Sequence, residues 1–219
     1  MLIFNCTEAA SKFFSRVHKG KKITPVEAPP ENEPTDDLPS EQWLVHAVTL
    51  QREHVLFVMH FGTRYCMVFS GTNKADLQGF IQKFMLRWID GVMQHAARTG
   101  VLEQIDFTST FERLQAGESQ YHFYRRGDRS VQGHLNEIVW MFTDQTMEMG
   151  LPADEIAANQ CDRRLNGMLK CLKGQKDYIV PNEEMLMHWF KHYCGVSDAD
   201  VASARGRYKA LMRESAAFE

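Results

Sequence analysis

The stretch from Tyr121 to Ser130 combines aromatic side chains with three arginines. Guanidinium groups bind phosphate oxygens in pairs, so Arg125, Arg126 and Arg129 are candidate anion ligands. The stretch also leads into a predicted helix, and the free backbone N–H groups at a helix N-terminus favour an anion. The pattern therefore predicts a phosphate or nucleic-acid contact at 121–130, with Ser130 as a further ligand. The alternative is a buried strand followed by a solvated turn.

The aromatic residues of this stretch distinguish those two interpretations. Tyr121 and Phe123 are two positions apart, so they lie on the same face of a strand. On an open face their rings would stack on bases, as aromatic side chains do in proteins that bind single strands. On a closed face they would belong to the core.

A second candidate site lies near the C-terminus. Glu184, His188 and His192 follow one another at four-residue spacing, so they share one stripe of a helix. Two histidines at this spacing can bind zinc. The segment lacks the glutamate of an HExxH helix, however, and the sequence shows no second group of ligands. A solvated polar face is therefore predicted rather than a metal site, and His188 and His192 remain the candidate ligands.

Residues for nucleophilic catalysis are present but do not form a known signature. The candidate nucleophiles and bases are Ser130, Cys6, Cys66, Cys161, His46, His60 and His122. None lies in a nucleophile elbow or a cysteine-protease motif. His46 lies in an apolar strand, where a buried histidine bonded to the backbone is the simpler interpretation. The sequence has neither a P-loop nor a GxGxxG motif, so neither nucleotide cradle is predicted and the cofactor stays unknown.

The composition limits the class of protein. The chain has 219 residues, of which 44% are hydrophobic, and this suits a single domain with a substantial core. A net charge of −3 excludes a strongly basic nucleic-acid coat but not a local basic patch. Five cysteines without CxxC spacing indicate reduced thiols. With no signal peptide and no apolar run near about 20 residues, we expect a cytoplasmic protein that does not enter a membrane.

The elements that must position these residues begin with Trp43–Gly71, which has the densest strand signal. β-Branched and aromatic residues dominate it, and Val55–Met59 is a continuous apolar run. Such runs are typical of strands that are covered on both faces. Polar Gln51–His54 and the glycine Gly62 supply the turns. We therefore predict an antiparallel meander near the middle of a sheet.

A strong helix is predicted over 131–149, with Ser130 as its N-cap. Trp140 and Met147 lie away from its main apolar stripe, which predicts a helix buried between two layers. Gly133 costs roughly 1 kcal/mol relative to alanine near the start of this helix. We therefore expect the backbone at Gly133 to lie close to a strand or a ligand.

The predicted fold is α+β: a mainly antiparallel sheet flanked by helices near 72–97 and 131–149, with a helical C-terminal part. Residues 1–195 are expected to form one domain, in which the proline-rich segment 25–40 is an exposed loop. Residues 196–219 are expected to form a C-terminal helix packed at the edge of that domain.

Three motifs occur together in the chain. They are Met1-Leu2-Ile3-Phe4-Asn5-Cys6-Thr7, Trp43-x-x-His46-Ala47 and Arg129-Ser130-Val131-x-Gly133-x-x-Asn136. Over residues 1–190 the chain resembles an uncharacterised bacterial family, a domain of unknown function found in chromosomes and mobile elements. The resemblance implies a bacterial cytoplasmic protein with no established activity. It singles out Asn5, Thr7, Arg129, Ser130 and Asn136, and joining the first strand to the helices would explain all five.

Three functions remain open from the sequence. The first is a binding or regulatory module that engages nucleic acid or a protein partner through 121–130. The second is an enzyme that acts on a phosphorylated or nucleotide substrate, with Arg129, Ser130 and His46 converging under the loop 25–40. The third is an interaction subunit whose Met- and Trp-rich surface forms a homo-oligomer.

Overall fold

The computed structural model describes residues 1–31, 41–100, 105–118, 120–172, 174 and 177–216. Its strands are β1 (Leu2–Cys6), β2 (Arg16–His18), β3 (Lys21–Ile23), β4 (Glu41–Leu50), β5 (Glu53–His60), β6 (Cys66–Phe69), β7 (Tyr121–Tyr124), β8 (Lys170–Cys171) and β9 (Tyr178–Ile179). Its helices are α1 (Glu8–Phe14), α2 (Leu77–Arg98), α3 (Phe107–Glu118), α4 (Arg129–Met149), α5 (Glu155–Leu165), α6 (Pro181–Trp189) and α7 (Asp198–Ala216). A π-helical turn, Phe190–Cys194, directly continues α6. None of the described helices is long and apolar enough to cross a bilayer.

A five-stranded sheet with the strand order β6-β5-β4-β1-β7 forms the centre of the fold. β4, β5 and β6 pair antiparallel, which confirms the meander predicted between Trp43 and Gly71. β1 is inserted between β4 and β7 and runs parallel to both. The α+β class is confirmed, with helices on the sheet and a helical C-terminal part, and the half of the sheet around β1 is parallel.

Both faces of the sheet are buried, because side chains alternate along each strand. Phe4 and Trp43 point to one face, where they pack against α2. Leu44 and Phe57 point to the other face, where they pack against α4. The continuous apolar run Val55–Met59 is completely buried, as its composition predicted.

Aromatic rings form the core under α2. The ring centroid of Phe4 lies 5.0 Å from that of Phe84 and 4.7 Å from that of Phe123. The ring of Trp43 lies 4.9 Å from Phe84 and 5.3 Å from Trp88. Aromatic pairs at such distances each contribute about 0.5–1.5 kcal/mol beyond their burial. This cluster therefore fixes α2 over β1 and β4.

α4 begins and packs differently from the prediction. Asp128, not Ser130, is its N-cap, since the Asp128 carboxylate accepts the backbone N–H of Val131 at 2.8 Å. Trp140 and Met147 are 71% and 78% exposed, so the predicted burial between two layers is wrong. The helix packs on the sheet through one face only.

Gly133 faces open space, because a Cβ atom at this position would meet no other atom within 4 Å. The expectation that a strand approaches Gly133 is therefore wrong. Packing does not explain a glycine in this turn of α4, and contact with a ligand stays a prediction.

Two segments that were expected at the periphery make specific contacts. Val26 is buried, and the backbone N–H of Glu27 donates to the Phe123 carbonyl at 2.8 Å, so this part of the loop runs along β7. The rest of the predicted loop, 32–40, lies outside the described residues. α7 packs against α6 and buries Tyr208.

Replacing Phe142 by alanine should lower the free energy of unfolding by about 3–5 kcal/mol, because a buried ring is lost and a cavity remains. Phe142 is fully buried, and its ring centroid lies 5.4 Å from that of Phe57. The matched control is Trp140→Ala on the same helix, which should change the value by less than about 0.5 kcal/mol. Urea denaturation measures both variants, and equal losses would contradict the assigned buried face of α4.

Candidate functional site

A cleft of about 880 Å³ opens between the end of α2, the end of α5, β9, the start of α6 and α7. Small-molecule sites commonly have volumes of about 300–1,000 Å³. α2 contributes His95 and Arg98, α5 contributes Arg163, α6 contributes Glu183, and α7 contributes Tyr208. We call this site the α6–α7 cleft.

Cationic side chains outnumber acidic ones around the α6–α7 cleft. The cations are Arg98, Arg163, Arg205, Lys209 and Arg213, and the acids are Glu183 and Glu184. The whole chain, in contrast, has a net charge of −3. A concave site that concentrates one sign of charge attracts ligands of the opposite sign, so the cleft favours an anion.

The protein neutralises only part of this positive charge. Arg205 donates hydrogen bonds to Glu183 at 2.8 Å and to Glu184 at 3.1 Å. Among the described residues, neither the guanidinium group of Arg98 nor that of Arg163 has a hydrogen bond or an ion pair. Burial, and then the charge of Arg98, lowers the pKa of Arg163 from its ordinary value. Both residues line the same cleft, so their like charges lie on one concave surface, and a bound anion would offset them.

His95 lines the same cleft, and its ring centroid lies 5.1 Å from that of Tyr208. Both ring nitrogens are buried without a hydrogen-bond partner in the described part of the chain. Burial, followed by the charges of Arg98 and Arg163, lowers the pKa of His95 to about 4, so the ring is neutral at neutral pH. A smaller cavity of about 10 Å³ adjoins His95 and has room for about one water molecule. The ring thus offers one donor and one acceptor that water or a ligand would satisfy.

A second group of polar side chains is buried at the end of the sheet. Glu41 opens β4 and His60 closes β5, and the pairing of Trp43 with His60 puts all three on the α2 face. His188 reaches the same point from α6. The ligand atoms of Glu41, His60 and His188 lie within 4.8 Å of one another. We call these three residues the Glu41 cluster.

The two oxygens of the Glu41 carboxylate have different surroundings. His188 Nε2 lies 2.7 Å from Oε1, which also accepts a hydrogen bond from the Tyr193 hydroxyl at 3.0 Å. His60 Nε2 lies 2.9 Å from Oε2, at an angle that leaves Oε2 without a hydrogen bond from any described residue.

The surroundings of Glu41 and His60 shift the pKa of each side chain and thereby determine its protonation state. Burial raises the pKa of Glu41, but the imidazoles of His188 and His60 outweigh this effect and hold that pKa below its usual range. Burial lowers the pKa of His60 from its ordinary value. The Glu41 cluster therefore contains an ionised carboxylate beside a neutral imidazole.

The helical stripe that suggested zinc is divided between the two sites. His188 meets Glu41 and His60, which form the second ligand group that the sequence did not reveal. The ring of His192 lies 4.4 Å from that of His188. Glu184 lines the α6–α7 cleft.

The predicted site at 121–130 is divided between core and surface. Phe123 is buried in the core, so its ring is not open to a base. Arg126 is tied to the sheet, because its guanidinium donates to Asn5 at 2.7 Å and to Gln42 at 2.9 Å. Tyr121 is 36% exposed. Fewer side chains of 121–130 are therefore accessible to a ligand than the sequence predicts.

The start of α4 is held by side chains of the turn between β5 and β6. Arg64 in that turn donates to Ser130 at 3.2 Å and to His134 at 3.0 Å. Arg125 lies 3.9 Å from Glu8, and Arg129 is exposed. Ser130 therefore contributes to the position of α4, whereas Arg125 and Arg129 remain at the surface.

His46 belongs to a different group of contacts. Its Nδ1 atom lies 3.0 Å from the hydroxyl of Thr7, which is the N-cap of α1. Burial lowers the pKa of His46. Among the described residues, no hydrogen bond links His46 to Arg129 or Ser130, so these contacts do not bring the predicted enzyme residues together. Asn136 bonds within its own helix.

The sequence does not identify His95, Arg98 or Arg163 as site residues. His95 and Arg98 stand three residues apart near the end of a predicted helix, where polar side chains are ordinary. Arg163 comes from α5 and reaches them only through the packing of helices. No spacing in the sequence signals this convergence.

The chain belongs to the family described as Domain of unknown function (DUF6933), whose model matches residues 3–184. The predicted membership of an uncharacterised domain family is thereby confirmed. A comparison with curated proteins found no match, and a comparison with solved structures found none. The matched range includes α2 and α5 and ends within α6, before His188.

The free energy of unfolding should fall as the pH drops from 6.5 towards about 4, in part because of His95. The unfolded chain protonates this ring near its ordinary pKa of 6.5, whereas the folded chain does so near about 4. Within that window the unfolded state binds more protons, so lowering the pH favours unfolding. His95→Gln should therefore lose less stability than the wild type between about pH 7 and about pH 5 in urea denaturation.

The matched control for that measurement is His122→Gln, since His122 is exposed on β7. This variant should lose as much stability as the wild type over the same pH range. If His95→Gln loses as much stability as the wild type between about pH 7 and about pH 5, then the unfolded chain does not protonate His95 more readily than the folded chain does.

Proposed function

We propose that this member of the family binds a phosphorylated small molecule in the α6–α7 cleft. The observation that carries the proposal is the pair Arg98 and Arg163, which line one cleft without a carboxylate partner among the described residues. Guanidinium forks match phosphate oxygens in both geometry and charge. A phosphorylated or nucleotide ligand is also the substrate expected if the protein is an enzyme. We propose the binding of that ligand and no reaction.

The remaining walls of the cleft fit the rest of such a ligand. Leu169, Ile179 and Met212 supply apolar surface, and His95 supplies a donor and an acceptor. Apolar walls with a few placed polar groups are typical of small-molecule sites. A nucleotide combines a flat base with a phosphate, so it matches both parts of this lining, and a cleft of about 880 Å³ has room for it.

Binding of nucleic acid or a protein partner through 121–130 stays a prediction. Tyr121, Arg125 and Arg129 are exposed and support it, whereas Phe123 and Arg126 serve the fold. The cleft is favoured because its cationic side chains converge on one concave site.

A homo-oligomer also stays a prediction. The exposed Trp140 and Met147 on α4 support it, because Trp and Met are enriched in protein interfaces.

Isothermal titration calorimetry with AMP and ATP, with adenosine as the unphosphorylated reference, tests the proposed function. We expect the wild type to bind the phosphorylated ligands more tightly than adenosine. Arg98→Gln and Arg163→Gln should each weaken nucleotide binding by about tenfold or more, since a hydrogen bond to a charged group contributes about 1.5–3 kcal/mol. Adenosine binding should change little.

Arg129→Gln is the matched control, because it removes an exposed arginine from the predicted 121–130 site. It should bind nucleotide like the wild type. The opposite pattern, with binding lost in Arg129→Gln and kept in Arg98→Gln, would move the ligand to 121–130. If the folded wild type binds neither nucleotides nor sugar phosphates, the proposal fails.

A further inference from the structure

The geometry points to a binding site for one divalent transition-metal ion at the Glu41 cluster. Glu41, His60 and His188 present a carboxylate and two imidazoles, the donors that bind zinc and its neighbours in the first transition row. Three protein ligands with a further open position is the arrangement of catalytic zinc sites. The site is separate from the α6–α7 cleft and does not depend on the ligand proposed for that cleft.

The distances within the Glu41 cluster fit ligands of a single ion. Two atoms that each lie about 2.0–2.2 Å from zinc are about 3.4 Å apart at the tetrahedral angle. Glu41 Oε2 is 2.9 Å from His60 Nε2, and Glu41 Oε1 is 2.7 Å from His188 Nε2. All the donor atoms lie within 4.8 Å of one another, and each oxygen–nitrogen pair would move apart by about half an ångström on binding one ion.

The orientation of His60 favours an ion over a hydrogen bond to Glu41. A ring nitrogen binds a metal along the same axis on which it would carry a proton. That axis misses Glu41 Oε2, which has no hydrogen bond from the described residues although His60 Nε2 is 2.9 Å away. Both groups can therefore point at a common third position.

Thr63 orients the far side of the His60 ring. Its hydroxyl oxygen lies 2.9 Å from His60 Nδ1 and can accept a hydrogen bond from Nδ1–H, which leaves the Nε2 lone pair free to bind a metal. The backbone N–H of Thr63 lies 3.2 Å from the same nitrogen and selects the other tautomer, the one of a metal-free cluster. Metal titration therefore distinguishes the two states of the ring.

The burial of Glu41 supplies an independent reason for a cation. The residue is 1% exposed, and within the described residues no Lys or Arg side chain contacts its carboxylate. Charges inside proteins are normally paired with an opposite charge or coordinated to a metal. The Tyr193 hydroxyl donates a hydrogen bond to Oε1 without bringing a positive charge, whereas a divalent ion would neutralise the site.

Cobalt titration of the full chain, after dialysis against a chelator, tests the site directly. The wild type should take up about one equivalent of Co²⁺ with visible d–d absorption bands, and Zn²⁺ should displace it. His188→Ala should abolish the bands, and it is the mildest change to the fold because this side chain is 20% exposed. Glu41→Gln should abolish them as well. His122→Ala, which removes an exposed histidine from β7, should keep them.

A folded wild type that binds neither Co²⁺ nor Zn²⁺ at about one equivalent would overturn the proposal and identify the metal-free hydrogen-bonded cluster. Unchanged bands in both His188→Ala and Glu41→Gln would place the ion elsewhere and overturn it too. Circular dichroism of each variant establishes that it is folded. Neither readout involves nucleotide, so failure of this site is distinguishable from failure of the cleft.

Discussion

One buried carboxylate fixes the C-terminal helices on the sheet. Glu41 begins β4, and a single oxygen of its side chain meets both His188 and Tyr193. Residues five apart on a regular α-helix point about 140° away from each other. The π-helical turn Phe190–Cys194 adds the extra residue that brings both side chains to one atom, and such turns occur often at functional sites. The sheet, α6 and the turn are thus joined at one polar point inside an apolar core.

Contacts with β4 position both walls of the α6–α7 cleft. Trp43 on β4 packs against α2 through Trp88, and α2 carries His95 and Arg98 to the cleft. Glu41 on β4 holds α6, whose first turn forms the opposite wall. The helices that form these two walls are therefore positioned by the core.

The buried arginine of the core shows what is different about the cleft. Arg87 is 5% exposed and pairs with Asp162 at 3.0 Å and with Glu155. Arg98 and Arg163 have no such partner in the described part of the chain, although Arg98 contributes to lowering the pKa of Arg163. An anionic ligand bound at this concave surface would supply the negative charge that these two arginines lack.

The sequence predicts local structure well where one interaction dominates. The meander follows from continuous apolar runs. The start of α4 was mistaken because Asp128 and Ser130 are both good caps and only the structure shows which carboxylate or hydroxyl meets a free N–H. Trp140 was expected in the core on hydrophobicity alone, although exposed apolar side chains are common on protein surfaces.

The two candidate sites could not be predicted from the sequence, because no single local interaction determines them. Glu41, His60 and His188 meet only after the β4–β5 register is set and α6 has docked on the sheet. Arg98 and Arg163 come to line one cleft only through the packing of α2 and α5. Tertiary structure brings side chains that are distant in the sequence into one site. A single sequence gives no signal of that convergence.

Anion binding in the α6–α7 cleft can be observed directly in an anomalous difference map from crystals soaked in selenate, an oxyanion of similar size and shape to phosphate. We expect a selenium peak in the α6–α7 cleft, within hydrogen-bond reach of the guanidinium groups of Arg98 and Arg163. An empty cleft, with selenate bound only beside Arg125 and Arg129, would contradict this expectation.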